Sequence, residues 1–491
     1  MSHLSRRRFL KQATATAALG TTFAISGTKA SGKIVGANDT VRVGVAGING
    51  RGQSHMGEFA KMTNVQVTHL IDPDATLHER RAAKIKEIGG NTPKCYRDIR
   101  EALEDKDLDA VSIATCNHWH SLITIWACQA GKDVYVEKPI SHNVFEGRKC
   151  VEAAEKYDRI VQHGTQSRAS SGWAKAAAAI ESGQYGKLLV SKGYASKTRW
   201  SIGFEEDEPA PETLDFDLWL GPAKKRPFNR NLVHYDWHWN WDFGNGEIGN
   251  QGVHQMDIAR WGIPGGTLPK RILSMGGRWV NSTAGRPPFT DQGETPNMQV
   301  TVFDYGDCLL IFEVAGLNGR TMIEGNPKPQ TKVANEFYTT KGMVTSNRFV
   351  PKEGDSTGLD VEVEMGPGSI FQNFIHGVRT RRRQDLHADV LEAHLSSALC
   401  HLGNISYRLG EQVPGDTPFP AYGDNEEVQK SWARIKEGLD QALGVKLDTT
   451  NYQLGRLLEF DAEKEQFVGD AEANKLLTRE YREPYVVPEK V

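Results

Sequence analysis

The segment from Val41 to Asp72 restricts the fold more than any other part of the chain. Val41–Ala46 reads as a mostly apolar strand, and Gly47-Ile-Asn-Gly-Arg-Gly52 then opens a helical stretch, Gln53–Met62. A second strand, Val65–Ile71, ends at Asp72, twenty residues beyond Gly52. Strand, glycine turn, helix, strand and acid follow one another as in a dinucleotide-binding fold. Gly47 allows the tight turn, Gly52 lets helix and strand pack closely, and the helix N-terminus faces the pyrophosphate. Asp72 is placed to bond the adenosine ribose and to repel a 2′-phosphate, which favours NAD over NADP. The middle glycine of the fingerprint is replaced by Asn49, with Gly50 and Arg51 beside it. Its Cβ keeps backbone and phosphate further apart.

Strands and helices continue to alternate: helix Leu77–Ile88, a helix beginning at Asp98, strand Leu108–Thr115 and a helix ending before Gly131. Strand Asp133–Val136, helix Val144–Tyr157 and strand Ile160–Gln162 follow. This pattern predicts an α/β fold, a Rossmann doubly wound parallel sheet whose ligands lie at the C-terminal strand ends. Asp72, Thr115, Asn117, Lys138 and Gln166 all fall at or just beyond such ends. Further on, Leu188–Tyr194, Ile272–Val280, Gln299–Phe303 and Cys308–Val314 alternate as strands.

A length of 491 residues suits two domains, and 38% hydrophobic with 25% charged residues suits a globular chain. No run of about 18 apolar residues excludes a polytopic membrane protein. Ser5-Arg-Arg-Arg-Phe-Leu-Lys11, followed by a mild Ala/Thr-rich stretch and a small-residue end at Ala30, resembles a cleaved twin-arginine (Tat) export signal. It implies a periplasmic or otherwise exported protein, folded before export and without a stable membrane anchor. Residues 1–30 hold five basic residues and no acid, so the mature chain has 54 basic against 62 acidic residues, a net −8. That balance disfavours nucleic acid as a partner. The six cysteines include no C-x-x-C pair, and no disulfide is expected.

Together these residues resemble the Gfo/Idh/MocA family of glucose–fructose oxidoreductase and inositol dehydrogenase type. The resemblance rests on Gly47–Gly52, Asp72, the loop Thr115–His120, Glu137-Lys138-Pro139, Gly164-Thr-Gln-Ser-Arg168, Gly252-Val-His-Gln-Met-Asp257 and the late helices 371–409. It implies a second, α+β domain with a mostly antiparallel open sheet that closes the active site. It also implies that Lys138 lies beside the nicotinamide and the reacting hydroxyl, with Glu137 lining the same pocket. Asn117 and His120 would hold the nicotinamide half, and His254 would be the general acid/base. The family pattern has Asp four residues before that histidine; here the position is Asn250, which lacks the charge but, sharing a helix face at i and i+4, can still touch substrate or His254 as a third catalytic candidate. Asp257, at i+3 from His254, is the candidate to replace it. Lys138 could equally neutralise cofactor phosphate, and His254 could be a helix-start histidine with no chemistry.

Six of the eleven tryptophans fall between residues 200 and 261. If Trp237, Trp239 and Trp241 lie on an extended segment, they project to one side and suit stacking on sugar rings; an interface core is the other reading. Tyr235 and Trp237, with Arg168 and Asp257, are the candidate substrate contacts. Gly244–Gly249 reads as a flexible turn before the His254 helix. His118, His120, His234 and His238 lack a zinc-type spacing with cysteine, so no metal is expected. The domains are set at 1–30 (signal), 38–165 (NAD-binding), 166–375 (substrate and oligomer contacts) and 376–491 (helices and tail, including an amphipathic helix near Glu426–Leu443, on the first domain or a neighbouring subunit). The function expected is an exported NAD-dependent oxidoreductase acting on a sugar or polyol hydroxyl, as a homo-oligomer. Two alternatives are an NAD-dependent glycoside hydrolase working by transient oxidation and elimination, and a non-catalytic sugar-binding protein.

Overall fold

The structure, a computed structural model, describes residues 39–281, 285–317 and 332–491. The expected export signal lies outside these residues.

Six short strands form the first sheet: β1 (Val41–Ala46), β2 (Val65–Ile71), β3 (Lys94–Tyr96), β4 (Ala110–Ile113), β5 (Asp133–Val136) and β6 (Val161–His163). They run parallel in the order β3-β2-β1-β4-β5-β6. Helices α1 (Gly52–Ala60), α2 (His78–Gly89), α3 (Ile99–Leu103), α4 (Asn117–Gln129) and α5 (Val144–Lys156) connect them. Every residue of β4 and β5 is buried, as a sheet covered on both faces requires. Strand order reverses between β1 and β4, so a crevice opens beyond their C-terminal ends, where Gly47 and Thr115 sit.

The second sheet is built on β7 (Leu188–Ser196), β8 (Arg271–Gly277), β9 (Met298–Asp304), β10 (Leu309–Ala315) and β11 (Lys332–Thr339). Its central order is β11-β7-β10-β9-β8, and shorter strands extend both edges. All of these pairs are antiparallel except β7 with β10. One face carries α6 (Ser171–Glu181), α8 (Gly246–Asn250) and α9 (Gly252–Trp261), whereas α7 (Phe216–Leu220) lies against the first domain, where Leu218 joins the cluster of Ile99, Trp119 and Ile123. Met256, Phe303, Phe312 and Leu399 meet in the core on that face.

Four expectations need correction. Helix α10 (Ile370–Thr380) buries Phe371 and Phe374 against Val43, Phe59 and Tyr135. The chain therefore returns to the first domain at Ile370, and a boundary at 375 cuts a helix. Helix α11 (Val390–Arg408) packs on α5 and α9, but α12 (Glu426–Leu443) does not wrap the first domain. Its apolar stripe, Val428, Ile435 and Leu439, covers Leu273, Val300 and Ile311 on the outer face of the second sheet. Lys192 beneath it pairs with Glu427 at 2.9 Å, which fixes where the helix docks.

The third correction is the aromatic segment. Asp236–Trp239 is a 3₁₀ turn, not a strand, so the alternate indoles do not share a face. The Trp237 N–H donates to the His234 carbonyl (3.1 Å) and the Trp239 N–H to Asp236 (3.2 Å), bonds that favour a compact turn. Trp237 joins a small core with Leu214, Trp219, Phe228 and Phe243. Gly244–Gly249 is likewise no flexible turn: most of it belongs to α8, and Glu247 is buried there.

Candidate active site

The crevice is a cleft of 430 Å³ that runs from the glycine turn to α9. Gly47, Asn49, Gly50, Arg51 and Asp72 line its first-domain end. Gly47 has φ +80°, and a Cβ there would lie 2.5 Å from the Ala114 carbonyl. A Cβ on Gly52 would lie 1.8 Å from the Gly47 carbonyl, so Gly52 supports the turn from beneath rather than lining the cleft. Nothing lies within 4 Å of a Cβ on Gly50, which leaves open space above the turn. Asn49 has no left-handed φ, so replacing the middle glycine introduces no backbone strain. Asp72 accepts backbone N–H groups from Ile48 and Asp74, both at 3.0 Å, and burial raises its pKa. It braces the turn while facing the cleft. Turn, open space and acid fit a dinucleotide.

Thr115, Asn117, His120, Glu137, Lys138 and Gln166 line the middle. The Asn117 amide N–H and both His120 ring nitrogens are engaged with protein: Asn117 donates to Asn245 at 3.0 Å, and the His120 ring nitrogens face the Pro139 and Thr115 carbonyls at 2.6 and 3.0 Å. Glu137 accepts from Arg51 (2.8 Å), His55 (3.1 Å) and Gln166 (3.3 Å). Burial alone would raise its pKa; the His55 hydrogen bond and the Arg51 and Lys138 charges hold it well below the ordinary carboxylate value. Sequence reading passed over His55, an apparent core histidine on α1, for lack of any motif.

Lys138 and His254 both line the cleft, one from each domain. The Lys138 Nζ donates to the Asn250 carbonyl and lies 3.4 Å from Asn250 Oδ1. Burial lowers its pKa, with Glu137 and Glu247 opposing. Burial, then the Lys138 charge, depresses His254 to about 3, so its imidazole is neutral.

Asn250 bonds Lys138 and Glu247 rather than His254, because α8 ends at Asn250 and α9 begins anew at Gly252. Asp257 stands in for the missing aspartate only through its charge, which raises the His254 pKa less than burial and Lys138 lower it. Its carboxylate accepts from Arg168 at 2.8 and 2.9 Å and from Ser396 at 2.6 Å, and neither Arg168 nor Asp257 lines the cleft. These two of the four expected substrate contacts are thus members of a buried ion pair. Tyr235, 53% exposed, and Trp237 do reach the cleft, where His238 stacks on Trp237 at 3.6 Å.

A strap over the first-domain end was not foreseen. Residues 213–223 cross the loop after β2, with the Asp215 N–H on the Pro73 carbonyl and the Ala75 N–H on the Thr213 carbonyl, both at 3.0 Å. Arg482 from the tail holds it, bonding the Asp217 carboxylate (3.0 Å) and the Gly221 and Ala223 carbonyls (2.9 and 3.2 Å). Among the described residues, all six cysteines are unpaired and no group of three His, Cys, Asp or Glu side chains is placed to hold a metal ion. None of the described helices is long and apolar enough to cross a membrane.

Residues 41–165 match the Gfo/Idh/MocA oxidoreductase family model for the NAD-binding Rossmann fold, and residues 179–265 match its C-terminal alpha/beta domain. A myo-inositol 2-dehydrogenase of Thermotoga maritima is 30% identical over 176 residues, 36% of this chain and 48% of the relative. A glycosyl hydrolase family 109 protein 2 of Shewanella sp. (strain ANA-3) is 31% identical over 176 residues, 32% of this chain and 39% of the relative. The chain thus spans half or less of these relatives. The WlbA dehydrogenase of Chromobacterium violaceum, solved with NADH and UDP-GlcNAcA, superposes with TM-score 0.53 at 16% identity, over 75% of this chain and 94% of that one. Its Bordetella pertussis counterpart gives 0.51 at 17% identity, over 73% and 94%. Over residues 41–265 the chain therefore matches the Gfo/Idh/MocA oxidoreductases, and its fold is that family's.

Proposed function

We propose that this protein is an exported NAD-dependent oxidoreductase acting on a hydroxyl group of a sugar or polyol. The observation that carries the reading is the meeting of Lys138 and His254, from different domains, in the cleft that starts at the glycine turn. Bound in that cleft, NAD supplies the hydride acceptor or donor. The protein supplies the proton chemistry. Two positions on the Lys138 Nζ are directed at Asn250, and the remaining one is available to the cleft. Burial lowers the Lys138 pKa, which favours the free amine, whereas His254, at about 3, binds a proton too weakly near neutrality. Lys138 accordingly takes and returns the hydroxyl proton, and the neutral His254 ring orients the hydroxyl. This reverses the emphasis of the sequence reading.

Tyr235 and Trp237 at the rim suit the C–H face of a sugar ring. Export rests on the Ser5–Lys11 sequence, and replacing Arg6-Arg7 by Lys-Lys should retain the protein in the cytosol. A homo-oligomer is in keeping with this reading and is checked by light scattering.

The central test is absorbance of the purified mature protein with NAD and a polyol panel. Dinucleotide binding with a substrate-dependent reduced-nicotinamide band supports the reading; no NAD affinity overturns it. A second reading, the NAD-dependent glycoside hydrolase, draws on the family 109 relative. Release of the aglycone from aryl glycosides, with no net NADH, would favour it.

A further inference from the structure

We infer that Glu247 is a positioning residue for Lys138, supplying through the Asn250 amide the carboxylate that the 250 position lacks. The inference rests on the proposed proton role of Lys138.

The side chain of Glu247 is fully buried on α8. Its Oε2 accepts the Asn250 Nδ2–H at 3.0 Å, and Arg199 bonds the two carboxylate oxygens at 2.8 and 2.9 Å. An amide has one donor end and one acceptor end. With Nδ2 fixed on a carboxylate, Oδ1 must face the other way, and it faces the Lys138 Nζ at 3.4 Å. The Asn250 carbonyl takes a second position on the same Nζ. Glu247 thereby fixes the amide, the amide fixes the amine, and the negative charge steadies the ammonium form from one residue further away. Asn at 250 then becomes intelligible. An aspartate there would place a second carboxylate against Glu247.

Other groups act on Lys138 from every side: Glu137 beside it, Arg51 at the start of α1, His120 on α4, His163 on β6, Lys197 beyond β7, His238 in the 3₁₀ turn and His254 on α9. Only Glu137 and Glu247 among them are acidic, and Glu137 is already shared among Arg51, His55 and Gln166.

The test uses the full-length protein loaded with NAD. In Glu247→Gln the acid limb of the pH–rate profile should move down by about one pH unit. Asn250→Asp added to Glu247→Gln should move it back up. Should Glu247→Gln fail to fold with Arg199 unpaired, Glu247→Gln/Arg199→Gln removes the pair as a unit, and the same downward shift is expected. An unmoved limb with a lower rate at all pH values, or wild-type pH behaviour in the paired variant, would reduce Glu247 to a partner of Arg199. Arylation of the Lys138 amine by fluorodinitrobenzene, followed by peptide mass across pH, reads the same shift without turnover. That labelling keeps the inference testable if no polyol is oxidised and the functional reading itself fails.

Discussion

At the residue scale the glycine turn makes the sharpest distinction. Gly52→Ala would drive a methyl into the Gly47 carbonyl, so we expect loss of NAD binding and a large fall in melting temperature. Gly50→Ala meets nothing within 4 Å and should melt within a degree or two of wild type. Lys138→Met should lower turnover at least about 100-fold while dinucleotide remains bound, measured as absorbance of the gel-filtered protein. Unchanged activity would remove Lys138 from the chemistry. The turn, Asp72 and Lys138 were legible in sequence because each follows directly from a strand end. Glu247 was not, because a carboxylate within a glycine-rich run gives no sign that it is buried. Asp257 misled for a related reason: spacing put it one turn from His254, yet the guanidinium of Arg168, distant in sequence, takes both its oxygens.

At the element scale the strap, residues 213–223, roofs the first-domain end of the cleft and is fastened by Arg482. Arg482→Ala removes that fastening without touching the glycine turn. We expect bound dinucleotide to leave about ten-fold faster, measured by displacement with fluorescent NADH, with little change in folding. An unchanged release rate would mean that the strap plays no part in retention. Strands 41–46, 65–71 and 133–136 and helix 426–443 were read to the residue, since apolar runs or a strong amphipathic stripe end at clear breakers. What helix 426–443 packs against could not be read, because a stripe says that a face is covered and not by what. The aromatic segment failed differently: alternation implied a strand, but hydrogen bonds from the indole N–H groups to the local turn prevailed.

At the scale of the whole molecule, buried neutral histidines tie stability to pH. His118 and His401 sit at about 3 and His163 at about 4, all depressed chiefly by burial. Between those values and the ordinary 6.5 the unfolded chain binds more protons, so stability is lost as pH falls through this window. Each histidine contributes roughly 1.4 kcal/mol per pH unit there. We expect the melting temperature to drop steadily from pH 6.5 to 4.5; a flat profile would mean that these rings are charged in the folded state.

The two-domain architecture brings an amine from the first domain and an imidazole from the second into one cleft, and the proposed redox chemistry depends on that meeting. The most direct measurement mixes NAD-loaded protein with polyols deuterated at the carbinol carbon and examines the released dinucleotide by NMR. Deuterium at nicotinamide C4 from wild type, and none from Lys138→Met still holding its dinucleotide, is the expected result. Dinucleotide without deuterium from every polyol and sugar tried, in protein shown to bind them, would contradict it.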